Sequence, residues 1–289
     1  MILQWRQAAE KGDEEAINNI QRAARQGDVR AQYHVGVMHK RGVGVDRDDK
    51  EAAYWFRKAA NQGDSGAQFI LGMMYRQGLG LDQDDTKAMQ WWQKAARQGD
   101  TEAIKWLYQI AEQGDAQAQC VVGRMNLNGD GIPQNYTQAL KWFGLSAEQG
   151  NSEAQCTLGI MYRTGRGTRE DEVQAVHWIR QAAEQGYAEA QFLLGVCYAD
   201  GFGIPQDDEQ AVIWFREAAR KRRADAQRYL GFMYGRGRGV TKDMAEALRW
   251  CLKAARQGDA DAIKWVKRAA KQGNTEAQKW LKLQDPDSD

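Results

Sequence analysis

The sequence predicts an all-α protein, an α/α solenoid (superhelix) of about six 36-residue helix-turn-helix repeats with three 15-residue single-helix units. Three observations predict it. A glycine recurs at Gly36, Gly72, Gly123, Gly159, Gly195 and Gly231, and a tryptophan at Trp55, Trp91, Trp142, Trp178, Trp214 and Trp250. Both series step by 36 residues except once, where both step by 51, so a 15-residue block separates the second and third copies. Within each copy the apolar residues fall at helical spacing, and self-similarity at a period of tens of residues is the signature of a stacked repeat array.

Residues 1–27 predict a partial repeat followed by a single-helix unit. Ala8-Ala9-Glu10-Lys11-Gly12 matches the end of a second helix such as Ala59-Ala60-Asn61-Gln62-Gly63, so the chain starts inside the pattern. This leaves two readings open, an abrupt native start or the loss of an upstream segment. Residues 28–99 then hold the first two full copies, and 115–258 the remaining four. In the first four copies an Asp or Asn after the glycine turn (Asp28, Asp64, Asp115, Asn151) is placed to cap the first helix. Paired glycines such as Gly42 and Gly44, or Gly165 and Gly167, are placed to stop it. The second helix carries small residues around its tryptophan, as in Ala175, Trp178, Ala182 and Ala183, so that helices approach closely while the indole fills the gap between copies.

The blocks 13–27, 100–114 and 259–273 begin like a first helix and end like a second, so each reads as one helix. One helix inserted into an antiparallel array changes its parity, which predicts a break in the superhelical path at 100–114. Residues 259–284 are expected to form capping helices and 285–289 a disordered tail.

The recurring pattern A-x-x-x-L-G-x-x-Y-x-x-G-x-G-V…A-x-x-W-x-x-x-A-A-x-x-G resembles the Sel1-like repeat family, a bacterial relative of tetratricopeptide repeats. Copy three departs from it with Val122 and Asn126 in the leucine and tyrosine positions, and Arg220-Lys221-Arg222-Arg223 stands where other copies have a glycine turn. The resemblance implies a scaffold or adaptor, in bacteria often tied to envelope assembly, secretion, virulence or signalling.

Composition narrows the function classes. Forty basic and 39 acidic residues leave a formal charge of +1, too little for a global field that attracts nucleic acid or an anionic membrane. No apolar run reaches the roughly 20 residues of a membrane span, so direct membrane insertion is not expected. Cys120, Cys156, Cys197 and Cys251 form no C-x-x-C and do not cluster with His34, His39 or His177, which predicts free structural thiols and no metal site. Free thiols favour the cytoplasm for the chain as given, and a periplasmic location fits if a leader has been removed.

No nucleophile, base and orienting group are brought together by the pattern, so neither an enzyme nor a cofactor is expected. The G-x-G steps lack the strand context of a phosphate-binding loop and read as turns. The four-residue basic run at 220–223 reads as a solvated face.

What remains is surface. By resemblance to tetratricopeptide arrays the first helices line a concave face, where the positions that vary from copy to copy carry specificity. These present Tyr33, Val37, Lys40 and Arg41, then Phe69, Met73 and Arg76, in the first two copies. The later copies present Arg124, Arg163, Phe192, Phe232 and Arg236. Aromatic and apolar side chains flanked by cations are the material of binding hot spots. Val37 fits equally the core between stacked first helices, and the arginines at turn ends fit equally a helix-dipole role. The expected function is a protein-protein interaction scaffold that binds a partner protein or extended peptide of acidic character. The alternative is an immunity or inhibitor protein that neutralises one toxin or enzyme stoichiometrically.

Overall fold

A computed structural model describes residues 2–284, so the tail at 285–289 lies outside the described residues. Among these the secondary structure is seventeen α-helices and no strand. The chain divides into two compact units, one up to Leu145 and one from Ser146.

The first unit holds α1 (Ile2–Ala9), α2 (Glu14–Arg25), α3 (Val29–Arg41), α4 (Asp49–Asn61), α5 (Ser65–Gln77), α6 (Asp85–Arg97), α7 (Thr101–Glu112), α8 (Ala116–Asn128) and most of α9 (Tyr136–Glu148). The second holds the end of α9, then α10 (Ser152–Thr164), α11 (Glu172–Glu184), α12 (Ala188–Asp200), α13 (Asp208–Arg220), α14 (Ala224–Arg236), α15 (Met244–Ala255), α16 (Ala260–Lys271) and α17 (Thr275–Gln284). The blocks read as single helices are α2, α7 and α16.

Starts and stops follow from local chemistry. Asp28, Asp64, Asp115 and Asn151 each accept a hydrogen bond from the backbone N–H three residues on. Asp48 does the same for α4, accepting from Lys50 and Glu51. Such caps satisfy amides that the helix itself leaves open. At the far end of α5, Gly78 takes φ 66° and Gly80 φ 67°. Gly80 is also fixed by contact, since a Cβ there would lie 2.0 Å from the Asp49 carbonyl oxygen.

The recurring Leu-Gly glycine is a point of close helix approach. A Cβ on Gly36, Gly72, Gly123, Gly159, Gly195 or Gly231 would come within 2.4 to 3.0 Å of Phe56, Trp92, Phe143, Ile179, Phe215 or Cys251 respectively. The residue that meets the glycine therefore follows the recurring tryptophan by one. The tryptophans pack one step further out, Trp214 against the cluster containing Ile179 and Leu194, and Trp250 against that containing Phe215 and Leu230.

A second periodic device is polar. Gln32, Gln68, Gln119, Gln155, Gln191 and Gln227 are buried, and each donates its side-chain N–H to the carbonyl eight residues earlier, at the end of the preceding helix. Gln62, Gln98, Gln185 and Gln257 in turn donate to the amide oxygens of Gln32, Gln68, Gln155 and Gln227. Three consecutive helices are joined through each amide. Buried polar groups carry a large penalty unless paired, so each link is strongly specified. One link is missing: where a glutamine would serve Gln191, the chain has Lys221, and Gln191 Oε1 has no hydrogen-bond partner.

The inserted helix α7 leaves two local marks. In ordinary copies the second turn glycine docks on the start of an earlier second helix, Gly80 on Asp49, Gly203 on Glu172 and Gly239 on Asp208. After α7 the equivalent Gly131 instead meets Ala96, at the end of α6, and Arg97 Nε pairs with Asp130 at 3.1 Å. A single extra helix reverses which end is presented, and the docking end changes with it. The second mark explains the Asn126 departure. Elsewhere an arginine donates to a tyrosine hydroxyl eighteen residues on, as Arg57 to Tyr75 and Arg216 to Tyr234. At the same separation Tyr108 of α7 stands in for the arginine, and buried Asn126 donates to its hydroxyl at 2.9 Å.

Candidate functional site

In the first unit the candidate residues lie on α3, α5 and α8. Tyr33, Val37, Phe69 and Met73 are half-buried and pack against one core cluster, which contains Phe56, Leu71 and Trp92. Their spacing of four along each helix keeps them on one face. The Tyr33 ring meets Phe56 edge-on at 5.8 Å, and burial, then the nearby Asp64, push its phenol pKa up.

Cations stand at the helix ends beside this face. Lys40 is half-buried, and desolvation, then Arg41, draw its pKa down; Arg41 itself is exposed. Arg76 Nε lies 3.7 Å from Asp85, while its Nη1 is buried with no hydrogen-bond partner. Arg124 donates to Gln93 at 3.2 Å. A small cavity of about 90 Å³ opens where α1, α2 and α3 meet, lined in part by Arg6, His34, Val37 and Arg41. Burial, then Arg6, lower the pKa of His34, so a neutral imidazole sits there at pH 7.

In the second unit the candidates do not form one cluster. The Arg163 guanidinium lies over Phe202 at 5.2 Å. Phe192 packs with Phe215 and Tyr229 at 5.9 and 5.3 Å, and Arg223 lies over it at 5.7 Å. Phe232 packs against the C-terminal cluster around Val266 and Trp280, under Arg228, which pairs with Asp259 at 3.1 Å. Arg236 is exposed.

All four cysteines are buried, and none is in a disulfide. Burial pushes the thiols of Cys156 and Cys251 up to about 12 and that of Cys197 to about 11. At neutral pH these are inert apolar side chains and not nucleophiles. No described helix is long and apolar enough to cross a membrane.

The repeat register now has an external counterpart. The Sel1 repeat family model matches residues 7–28, 29–64, 65–100, 101–115, 116–151, 152–187, 188–222, 224–259 and 260–274. The chain belongs to the Sel1 repeat family. Two of its matched segments, 101–115 and 260–274, are 15-residue blocks, so the family pattern is met by single helices as well as by full copies.

A crystal structure of a Sel1 repeat protein from Oxalobacter formigenes is 34% identical, covering 92% of this chain and 89% of that one, with a TM-score of 0.56. A protective antigen present in uropathogenic Escherichia coli strains, displaying the same repeat fold, is 30% identical over 94% of this chain, with a TM-score of 0.55. This chain spans 60% of that antigen's length. An immunity protein from Pseudomonas aeruginosa is 19% identical over 79% of this chain and 81% of its own, at a TM-score of 0.38, a distance at which the match carries no functional argument. No curated protein matches the chain. Sel1 repeat proteins are generally protein-interaction scaffolds, typically non-catalytic.

Two features escaped sequence reasoning. The glutamine network was available as a 36-residue recurrence of Gln32 and its equivalents, but a glutamine on a helix reads as solvent-facing until its carbonyl partner is known. The positive φ of Arg222 was signalled only by its position in a glycine column.

Proposed function

We propose that this Sel1 repeat protein binds an acidic partner protein, or an extended segment of one, along the face formed by α3 and α5. The observation that carries the proposal is the arrangement in the first unit. Tyr33, Val37, Phe69 and Met73 keep part of their apolar surface open on adjacent first helices, with Lys40, Arg41 and Arg76 beside them. Half-buried aromatic and aliphatic groups anchored in a rigid core lose little entropy on binding, and flanking cations select partner charge. Arg124 of α8 belongs to the same unit and the same reading, while Arg163, Phe192, Phe232 and Arg236 are candidate contacts of the second unit taken by itself, with the acidic preference set by the arginines.

The test is affinity capture from the native cell with the full chain and with a Tyr33→Ala, Phe69→Ala, Arg76→Ala triple variant. The variant should retain its helical circular dichroism and lose the captured partner. Undiminished capture would sink the proposal, and a single tight target bound one to one would mark the protein as an inhibitor or immunity protein.

A further inference from the structure

The basic run at 220–223 is not a uniformly solvated face. The Lys221 ammonium donates to the Gly186 carbonyl. Arg223 occupies the capping position yet makes no capping bond, and pairs instead with Asp225 at 2.6 Å and Glu189 at 3.7 Å. Arg220 pairs with Glu217 at 2.5 Å.

Arg222 is different. It stands in the column filled by Gly63, Gly99, Gly150, Gly186 and Gly258, and it keeps the glycine conformation, with φ 65°. Among the described residues it is the only non-glycine residue with positive φ. That region is unfavourable for any residue with a Cβ, and such outliers concentrate at functional sites.

Arg222 lines a groove of about 420 Å³ shared by the ends of α13 and α15. Arg220, Lys253 and Arg256 join it there, with Trp250 forming an aromatic wall. The Lys253 ammonium sits 3.9 Å from the indole centroid. No carboxylate is among the lining residues.

The repeat supplies an internal control. Shifting Arg220, Arg222, Trp250, Lys253 and Arg256 back by one 36-residue copy gives Glu184, Gly186, Trp214, Glu217 and Arg220. The indole is kept, because stacking needs it, while four cations become two acids, a glycine and one cation. Attraction to the helix dipole accounts for a cation in the last turn of α13 or α15. It does not account for Arg222, which lies beyond the helix in an unfavourable backbone state.

We propose that this groove is a second binding site, for an acidic peptide segment with two or more closely spaced carboxylates held by Arg222, Lys253 and Arg256 against Trp250. Guanidinium groups pair with carboxylates through two parallel hydrogen bonds, and the indole takes the apolar part of the segment. Nucleic acid fits less well. A phosphodiester backbone needs a continuous basic track, and the equivalent positions one copy earlier carry Glu184 and Glu217 in a chain of net charge +1. None of the groove residues belongs to the α3 and α5 face, so the two sites stand or fall separately.

The experiment is a fluorescence anisotropy titration of a labelled hexaglutamate peptide with the full chain, alongside a labelled single-stranded hexanucleotide and competition by inorganic phosphate. Saturable one-to-one binding of the peptide is expected. Arg222→Gly restores the glycine turn, so the fold survives, and should weaken binding about tenfold or more, the effect of losing one charge-assisted contact. Lys253→Gln with Arg256→Gln should abolish saturation, while Arg249→Gln and the Tyr33→Ala, Phe69→Ala, Arg76→Ala variant should bind like the parent. Absence of saturable binding overturns the proposal, as does equal affinity of Arg222→Gly and parent. Tighter binding of the hexanucleotide, or displacement of the peptide by an equal concentration of phosphate, overturns the assignment to an acidic peptide.

Discussion

Gly72→Ala tests the close helix approach on which the repeat depends. The added Cβ would lie 2.4 Å from Trp92 Nε1 and 2.5 Å from Cδ1. Ordinary contact is about 1 Å longer, so the indole must retreat. It has little room: Trp92 is fully buried, stacks on Trp106 at a centroid distance of 6.2 Å, and donates its N–H to the Phe69 carbonyl at 3.1 Å. Overpacking costs about 1–3 kcal/mol, and stranding the buried indole N–H costs about 1–3 kcal/mol. The helix propensity gained on replacing glycine returns about 1 kcal/mol. The net expectation is a loss of about 3 kcal/mol by these terms.

Gly144→Ala is the matched control. It lies in the helix interior of α9, in the same unit, and its Cβ would meet nothing within 4 Å. The same substitution there should stabilise by about 0.5–1 kcal/mol. Urea unfolding followed by circular dichroism, compared by midpoint, should move the two variants in opposite directions. Equal midpoints would refute the close approach at the Leu-Gly glycine.

Three further outcomes are expected. Lys221→Gln supplies the missing partner for Gln191 Oε1 and should raise stability by about 1 kcal/mol in thermal unfolding; a loss would show that the Lys221 bond to Gly186 matters more. The Arg238 guanidinium, bonded to both oxygens of Asp208 at 2.6 and 3.0 Å, holds that carboxyl below its ordinary value of 3.8. Because the folded pKa is depressed, the pair's contribution is full above pH 3.8 and fades as pH falls through the folded value. The stability gap between the parent and Arg238→Met should therefore be constant from pH 7 to about 5 and narrow below about 4, read as urea midpoints against pH. Iodoacetamide at pH 8 should leave Cys156, Cys197 and Cys251 unlabelled in the folded chain and modify them after denaturation, by mass spectrometry; rapid labelling of the native protein would contradict their burial.

Much of the fold was legible because stacking imposes a strict register. The glycine and tryptophan columns gave the period, Asp28 and its equivalents gave the helix starts, and the shared 51-residue step located α7. The partner of each glycine was harder to read. Phe56, Trp92, Phe143, Ile179, Phe215 and Cys251 share a position and an apolar character but not a size or shape, since each fills whatever volume its neighbours leave. Asn126 departs from the pattern because Tyr108 replaces the usual arginine, a pairing that no single copy contains. For the candidate surface the register named the variable positions, Tyr33 and Phe69 among them. How much of each ring stays open depends on neighbours such as Phe56, which a pattern along one helix does not contain.

The orphaned oxygen of Gln191 has a consequence for how the molecule comes apart. In a linear array stability is a sum of unit terms and nearest-neighbour couplings, and cooperativity extends only as far as the couplings hold. The amide links at Gln155–Gln185 and Gln227–Gln257 each tie the end of a second helix to the first helix before it. At Gln191 that coupling is weakened, so within the second unit the boundary between opening segments should fall on α12 and α13. Amide hydrogen exchange would show it as a step in protection on either side of those helices, and a partner that engaged both sides would erase the step by acting as the clamp the sequence omits.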